Sequence, residues 1–457
     1  MKRLLTYFVL LFAATAVHAQ EVTSTESWSG AISLGANKLN IGFVVKSMAD
    51  GSQMCTMDVP DQGVKDFPVT LVACDADVLN ISIAQLNAKY EGRRLSAELI
   101  EGTFTQNGMS FPLNLKRGAI EIRRPQTPEP PYAYMTEEVT FRNDAEGAVL
   151  SGTLTYPVNY DKLKRGSVPV VLMVTGSGAQ DRDETLFGHK PFLVIADYLA
   201  RHGIASLRYD DRGVAKSTGS TEGMTTLNNL ADAEAGVAYL RSLGKFGKVG
   251  VLGHSEGGTI AFMMGANGSV DFLVSLAGAA ASGLEVIIGQ NGTIMQQQGI
   301  PQTIVDDYLS ALRVIYSDRV AGIEAPDAKQ YVAEVCSQHT LSLPEPYMDN
   351  LAKCVTAGGE WMTWFLGCEP KEAISKIACP VMALNGSMDL QVLSGDNLPI
   401  IRDNLPRNRS SVVKEYDGLN HLFQHCTPAT SLSYGAIEET ISEEVLNDIV
   451  NWIIEIK

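Results

Sequence analysis

The sequence predicts an α/β architecture: a mostly parallel sheet with helices on both faces and a helical cap insertion, preceded by a small antiparallel β domain. Three features point there. Continuous apolar segments, such as the valine-rich run at 168–174, alternate with helix-period stretches through the C-terminal part of the chain. A proline cluster at 124–131 separates that part from an N-terminal region with no helical pattern of any length. From about 283 to 376 the buried-strand signal stops and only helix-compatible segments remain.

The elements follow in order. Lys2 and Arg3 precede an apolar run at 4–17, and Val17-His18-Ala19 suits a signal peptidase. The sequence therefore predicts a signal peptide at 1–19, cleaved before Gln20, and a secreted or periplasmic mature chain. That run is shorter than the ~20 residues a membrane-spanning helix needs, and no later segment reaches that length, so no membrane insertion is expected. Residues 20–123 read as a small β domain. Partly alternating segments at 39–43, 78–81 and 104–105 are punctuated by Asp50-Gly51 and Asn107-Gly108, dipeptides suited to tight hairpins. Residues 124–133, with prolines 125, 128, 130 and 131, read as a stiff linker.

Residues 134–457 hold the alternating region. Strands are predicted at 168–174, 205–209, 249–252, 272–276, 381–384 and 412–416, and helices at 192–201, 227–243, 257–265 and 438–454. The interruption at 283–376, with a helix at 303–315, reads as a cap over the site.

Hydrophobic residues make up 45% of the 457, enough for a substantial core, and the formal net charge is −16. Removing Lys2 and Arg3 would take it from −16 to −18. Such a surface repels phosphate backbones, so no nucleic-acid partner is expected. The seven cysteines, at 55, 74, 336, 354, 368, 379 and 426, permit disulfides in an exported protein, with the four from 336 to 379 close enough to staple one region. Buried free thiols are the alternative. No pair has zinc-ligand spacing beside a histidine cluster, so neither a metal nor another cofactor is expected.

The chemistry concentrates in Gly253-His254-Ser255-Glu256-Gly257. Between a strand and a glycine-rich helix, this pattern forms a sharp turn that lifts a serine hydroxyl out of the backbone, and the glycines let neighbouring elements approach. A serine needs a base, and the base an orienting carboxylate. Asp389 follows the strand at 381–384 and His421 the strand at 412–416, so both are placed at the sheet edge that Ser255 occupies. His425 rivals His421; Asp417 and Asp396 rival Asp389. For a developing oxyanion, the expected donors are the backbone N–H groups of Glu256 and of Ser177, in the loop Thr175-Gly176-Ser177-Gly178. Asp181-Arg182-Asp183-Glu184 and Tyr209-Asp210-Asp211-Arg212-Gly213 are read as ion pairs that brace loops rather than as metal ligands. Trp361 and Trp364, with Phe365, are cap-packing residues that could also contact substrate.

With these residues in place, the stretch 134–457 resembles the α/β-hydrolase superfamily. It is most similar to bacterial exported serine esterases of the dienelactone-hydrolase-like type, related to prolyl oligopeptidases. The resemblance rests on residues 175–183, 208–213, 253–257 and Asn420-His421; Thr175 departs from the commoner His-Gly opening of the first loop. It implies an α/β-hydrolase fold and hydrolysis of small-molecule esters with short acyl groups. A peptidase of the prolyl-oligopeptidase kind, an acyltransferase or thioesterase, and a non-catalytic binding module are the competing expectations.

Overall fold

A computed structural model describes residues 22–34, 37–60, 64–120 and 123–456. The predicted signal peptide lies outside the described residues. The chain forms two units.

The N-terminal unit is an antiparallel barrel. Its strands are β1 (Val22–Leu34), β2 (Asn37–Met48), β3 (Gln53–Val59), β4 (Val64–Cys74), β5 (Val78–Ile83), β6 (Ala88–Ser96), β7 (Leu99–Gln106), β8 (Met109–Pro112) and β9 (Leu115–Arg117). The order β6-β5-β4-β3-β2-β1-β9-β7 closes on itself because β7 also pairs with β6, and β8 hangs on β7. Closure leaves few free edges, which suits a sheet that carries its own core of Trp28, Phe43, Ile81 and Tyr90. Asn107 (φ 50°) and Gly108 (φ 78°) occupy the two left-handed positions of the β7–β8 hairpin, as that dipeptide predicts. The strands are longer than the sequence suggested, because residues facing solvent break the apolar alternation. Two short pieces of later chain, Leu186–Gly188 and Leu432–Glu438, belong to this unit.

The second unit is built on an eight-stranded sheet. It opens with an antiparallel pair, β10 (Thr136–Asn143) and β11 (Ala148–Thr155), which the sequence did not signal; β10 alternates exposed and buried residues as a half-solvated edge strand does. Then come β12 (Val170–Val174), α1 (Pro191–Arg201), β13 (Ala205–Tyr209), α2 (Thr226–Ser242), β14 (Val249–His254), α3 (Glu256–Ala266) and β15 (Phe272–Leu276). The five residues of β12, β13 and β15 and the six of β14 are all buried, the signature of strands covered on both faces. The order β10-β11-β13-β12-β14-β15-β16-β17, parallel from β13 onward, is that of an α/β hydrolase.

Six helices lie between β15 and β16 (Val381–Gly386): α4 (Gly283–Gln297), α5 (Gln302–Val320), α6 (Ala328–Gln338), α7 (Glu345–Cys354), α8 (Gly359–Leu366) and α9 (Pro370–Ile374). They have a core of their own, including Val305, Leu312, Ile315, Val332, Val335 and Leu351. After β16 follow α10 (Ser394–Asn404), β17 (Val412–Tyr416) and α11 (Glu443–Glu455). The last helix starts at Glu443, not 438, because the backbone of Thr440 and Ile441 binds the Gln126 side chain and Ser442 N–H donates to the Phe423 carbonyl. All seven cysteines are free thiols, and burial pushes Cys55 up to about 12. No described helix is long and apolar enough to cross a membrane.

Candidate active site

Ser255 stands between β14 and α3 at φ 55° and ψ −119°, a conformation that costs a non-glycine residue on the order of 1–3 kcal/mol. The surroundings enforce it. Its N–H donates to the Leu276 carbonyl at 2.8 Å, and its own carbonyl accepts from the N–H groups of Gly258 and Thr259 as α3 begins. A side chain at Gly253 would collide with the Gly257 carbonyl, and one at Gly257 with the Val174 carbonyl. Only glycines allow this turn to sit so tightly against β12.

His421 lies in the loop after β17, 3% exposed. The loop is knit by Asn420, whose side-chain oxygen accepts from the N–H groups of Leu422 and Gln424 at 3.0 Å each and whose amide donates to Gln424 Oε1 at 2.9 Å. His421 Nδ1 donates to Asp389 Oδ2 at 2.7 Å, which leaves Nε2 with its lone pair. The other oxygen of Asp389 accepts from the N–H groups of Gln391 and Val392 at 2.8 and 3.0 Å. Both oxygens of this buried carboxylate are therefore occupied, and the imidazole can turn little.

The rivals are used elsewhere. Asp417 accepts from the Ser387 hydroxyl at 3.0 Å, Asp396 sits in the first turn of α10, and the exposed His425 pairs with Glu439 at 2.9 Å. The Ser255 hydroxyl makes no hydrogen bond among the described residues, to His421 or to any other group. Catalytic hydrogen bonds commonly tighten only when substrate is in place.

The loop after β12 packs on the serine: the side-chain position of Gly176 falls 3.2 Å from Ser255 Cβ. The N–H groups of Ser177 and of Glu256, the first residue of α3, have no hydrogen-bond partner among the described residues. Both are thus available to an incoming oxygen, and the one at the helix start carries the favourable end of the helix dipole.

Residues 146–407, more than half of the chain, match the family of X-Pro dipeptidyl-peptidases, S15. The chain belongs to this S15 family. The sequence is also 24% identical to the Esterase EstD of Thermotoga maritima over 310 residues, 67% of this chain and 66% of that one, just under two thirds of the relative's length. Among solved structures, the esterase Pf2001 of Pyrococcus furiosus aligns with a TM-score of 0.42 and 15% identity over 70% of this chain and 90% of that one. The proline iminopeptidase of Mycobacterium smegmatis aligns at 0.42 and 14% over 70% and 98%.

In this S15-family chain the loops around the serine are braced by ion pairs. Arg182 reaches Asp210 at 2.8 Å and Glu138 at 2.9 Å, Arg208 pairs with Asp183, and Arg212 joins Asp232 at 2.6 Å. Asp211 holds the loop after β12 at both ends, accepting from the Thr175 hydroxyl at 2.8 Å and the Gln180 N–H at 2.9 Å. Burial, with the charges of Glu184 and Glu256 adding to it against these hydrogen bonds, pushes Asp211 up to about 7.

Trp361 is committed to Glu256, the residue after Ser255. Its indole N–H lies 3.1 Å from both carboxylate oxygens of Glu256, one of which also accepts from the Thr226 hydroxyl at 2.6 Å. Trp361 stacks on Phe365 at 5.3 Å, and Trp364 lines a small space with Thr226, Glu256 and Phe365. The buried partners Glu184 and His254 were not singled out by sequence reasoning, although both lie inside motifs it had noted.

Proposed function

We propose that this protein is a carboxylesterase-type serine hydrolase that cleaves small-molecule esters of short acyl groups through an acyl-enzyme. The observation that carries the reading is the buried His421–Asp389 pair, at the same sheet edge as a serine held in a strained turn. In this scheme His421 Nε2 takes the proton of Ser255 as Oγ attacks the ester carbonyl. The N–H groups of Ser177 and Glu256 receive the oxyanion, worth on the order of 10²–10³ in rate for each donor in enzymes of this design. His421 then protonates the leaving alcohol, and a water activated by the same nitrogen releases the acid. The His421–Asp389 pair keeps the imidazole in the tautomer this requires and stabilises its positive form. The esterase relative supports the choice of ester. The N-terminal sequence of Lys2, Arg3 and an apolar run supports a secreted or periplasmic location.

The family's name favours a second reading, release of X-Pro dipeptides. Turnover of p-nitrophenyl acetate, butyrate and octanoate beside Xaa-Pro p-nitroanilides separates the two. Esterase activity that Ser255→Ala abolishes, together with loss of fluorophosphonate labelling, is the expected result. Cleavage of the anilides alone would overturn the ester assignment, and labelling that survives the substitution would remove Ser255 from its role.

A further inference from the structure

His254, the residue before the serine, is 5% exposed and spends both ring nitrogens. Nε2 lies 3.0 Å from the main-chain oxygen of His421, which can only accept, so Nε2 carries hydrogen. Nδ1 lies 2.9 Å from Glu184 Oε1, and that oxygen also accepts the Gly176 N–H at 2.8 Å. An ionised Glu184 can only accept, and Nδ1 then donates as well. The ring is then an imidazolium buried against a carboxylate. Burial opposes that charge, but the Glu184 charge and hydrogen bond, the His421 carbonyl and the Asp389 charge outweigh it and hold His254 above its ordinary value.

Glu184 itself is 1% exposed and takes φ 51°. Asp181 builds the turn that forces this: its Oδ1 accepts from the N–H groups of Asp183 and Thr185, and its carbonyl accepts from Glu184 N–H at 2.9 Å. A strained, buried acid held this firmly points to a task in the site. Three distant segments meet on it. Gly176 belongs to the oxyanion loop, His254 ends the nucleophile strand, and through the His254 ring the acid reaches the backbone of the base. The two imidazole rings stand 4.8 Å apart.

We propose that Glu184 and His254 are a positioning pair that sets the oxyanion loop and His421 in register with Ser255. The pair acts through other groups: Glu184 aims the turn whose next N–H is that of Ser177, and His254 anchors the main chain that carries the base. It also places a positive charge beside His421, the two ring centroids 4.8 Å apart. That charge disfavours premature protonation of the base, while Asp389 favours the imidazolium once the proton arrives from the serine. The groups that bear on this are Glu184, His421 and Asp389 around His254, and Asp389 and His254 around His421.

The inference rests on the serine hydrolase reading above. Glu184→Gln keeps the shape and an acceptor oxygen but removes the charge that holds the His254 proton. With p-nitrophenyl butyrate, kcat is expected to fall about 10- to 100-fold with KM changed little, since misplacement by even ~1 Å has costs of that order. In His254→Gln, which removes the cation beside His421 and leaves the Glu184 charge in place, the acid limb of the kcat/KM profile is expected to move to higher pH by half a unit or more. A purely structural role would change stability and leave that limb in place. His254→Gln also keeps the proposal open to test should Glu184→Gln fail to fold. ¹⁵N-histidine NMR of the unaltered protein at pH 7 gives a readout without substitution: His254 is expected protonated on both nitrogens. An unshifted profile, or a neutral His254, overturns the proposal while fluorophosphonate labelling of Ser255 leaves the hydrolase reading standing. Failure of Ser255 to label overturns both.

Discussion

Replacing Asp211 by asparagine should stabilise the protein increasingly as pH rises from about 4 to about 7, and fully above that. The carboxyl lies at the end of β13, accepts from the Thr175 hydroxyl and the Gln180 N–H, and is pushed from an ordinary 3.8 up to about 7, first by burial and then by the charges of Glu184 and Glu256. The sign follows from proton counting. Between about pH 4 and pH 7 the folded chain holds a proton here that the unfolded chain has lost, so stability falls as pH rises through that window. Above it the folded state carries the whole cost of a charged, crowded carboxylate. The displacement corresponds to a ceiling of about 4 kcal/mol, and partial contact of the group with solvent reduces the expected cost to about 1–2 kcal/mol. Asparagine has the same shape. Its oxygen can accept from Gln180, its amide can donate to the Thr175 hydroxyl, and it carries no charge at any pH. Urea denaturation should place wild type and variant within about 0.5 kcal/mol at pH 5, where only the first part of that window has been crossed, and separate them by about 1–2 kcal/mol in favour of the variant at pH 8.5. Equal differences at both pH values, or a variant weaker at pH 8.5 than at pH 5, would refute the reasoning.

Two further substitutions probe the turn and the cap. Gly257→Ala drives a methyl group into the carbonyls of Val174 and Thr175, which are backbone and cannot swing aside; it should cost about 1–3 kcal/mol in denaturation midpoints and slow fluorophosphonate labelling at least ~10-fold. Trp361→Phe keeps the stack on Phe365 but removes the N–H that meets both oxygens of Glu256, leaving that buried carboxylate with the Thr226 hydroxyl. A hydrogen bond to a charged group is worth about 1.5–3 kcal/mol, so limited proteolysis within α4 to α8 should accelerate severalfold; unchanged nicking would show that the contact does not hold the cap.

Much of the architecture was legible because its causes are local. A valine-rich run such as β12 needs no partner to announce that both its faces are buried, and Asn107-Gly108 states its turn by the φ values it tolerates. Gly253-His254-Ser255-Glu256-Gly257 is legible for the same reason, since the steric demand for glycine acts within a few residues of Ser255. The edge strand β10 escaped because a half-solvated strand carries a weaker apolar signal, and the start of α11 escaped because Gln126, more than 300 residues away, holds the preceding backbone. Closure of the barrel through β6 and β7 is likewise a pairing that no single strand records.

The sequence by itself determined the alternating sheet, the strained turn and the short set of residues able to supply a base and an acid, because periodicity and glycine sterics act over a turn or a strand. Only the tertiary structure decided that Asp389 and not Asp417 meets the imidazole, that Glu184 reaches His254, and that Trp361 closes on Glu256. Each of those is a contact of about 3 Å between loops far apart in the chain, and it depends on where a whole sheet delivers its strand ends.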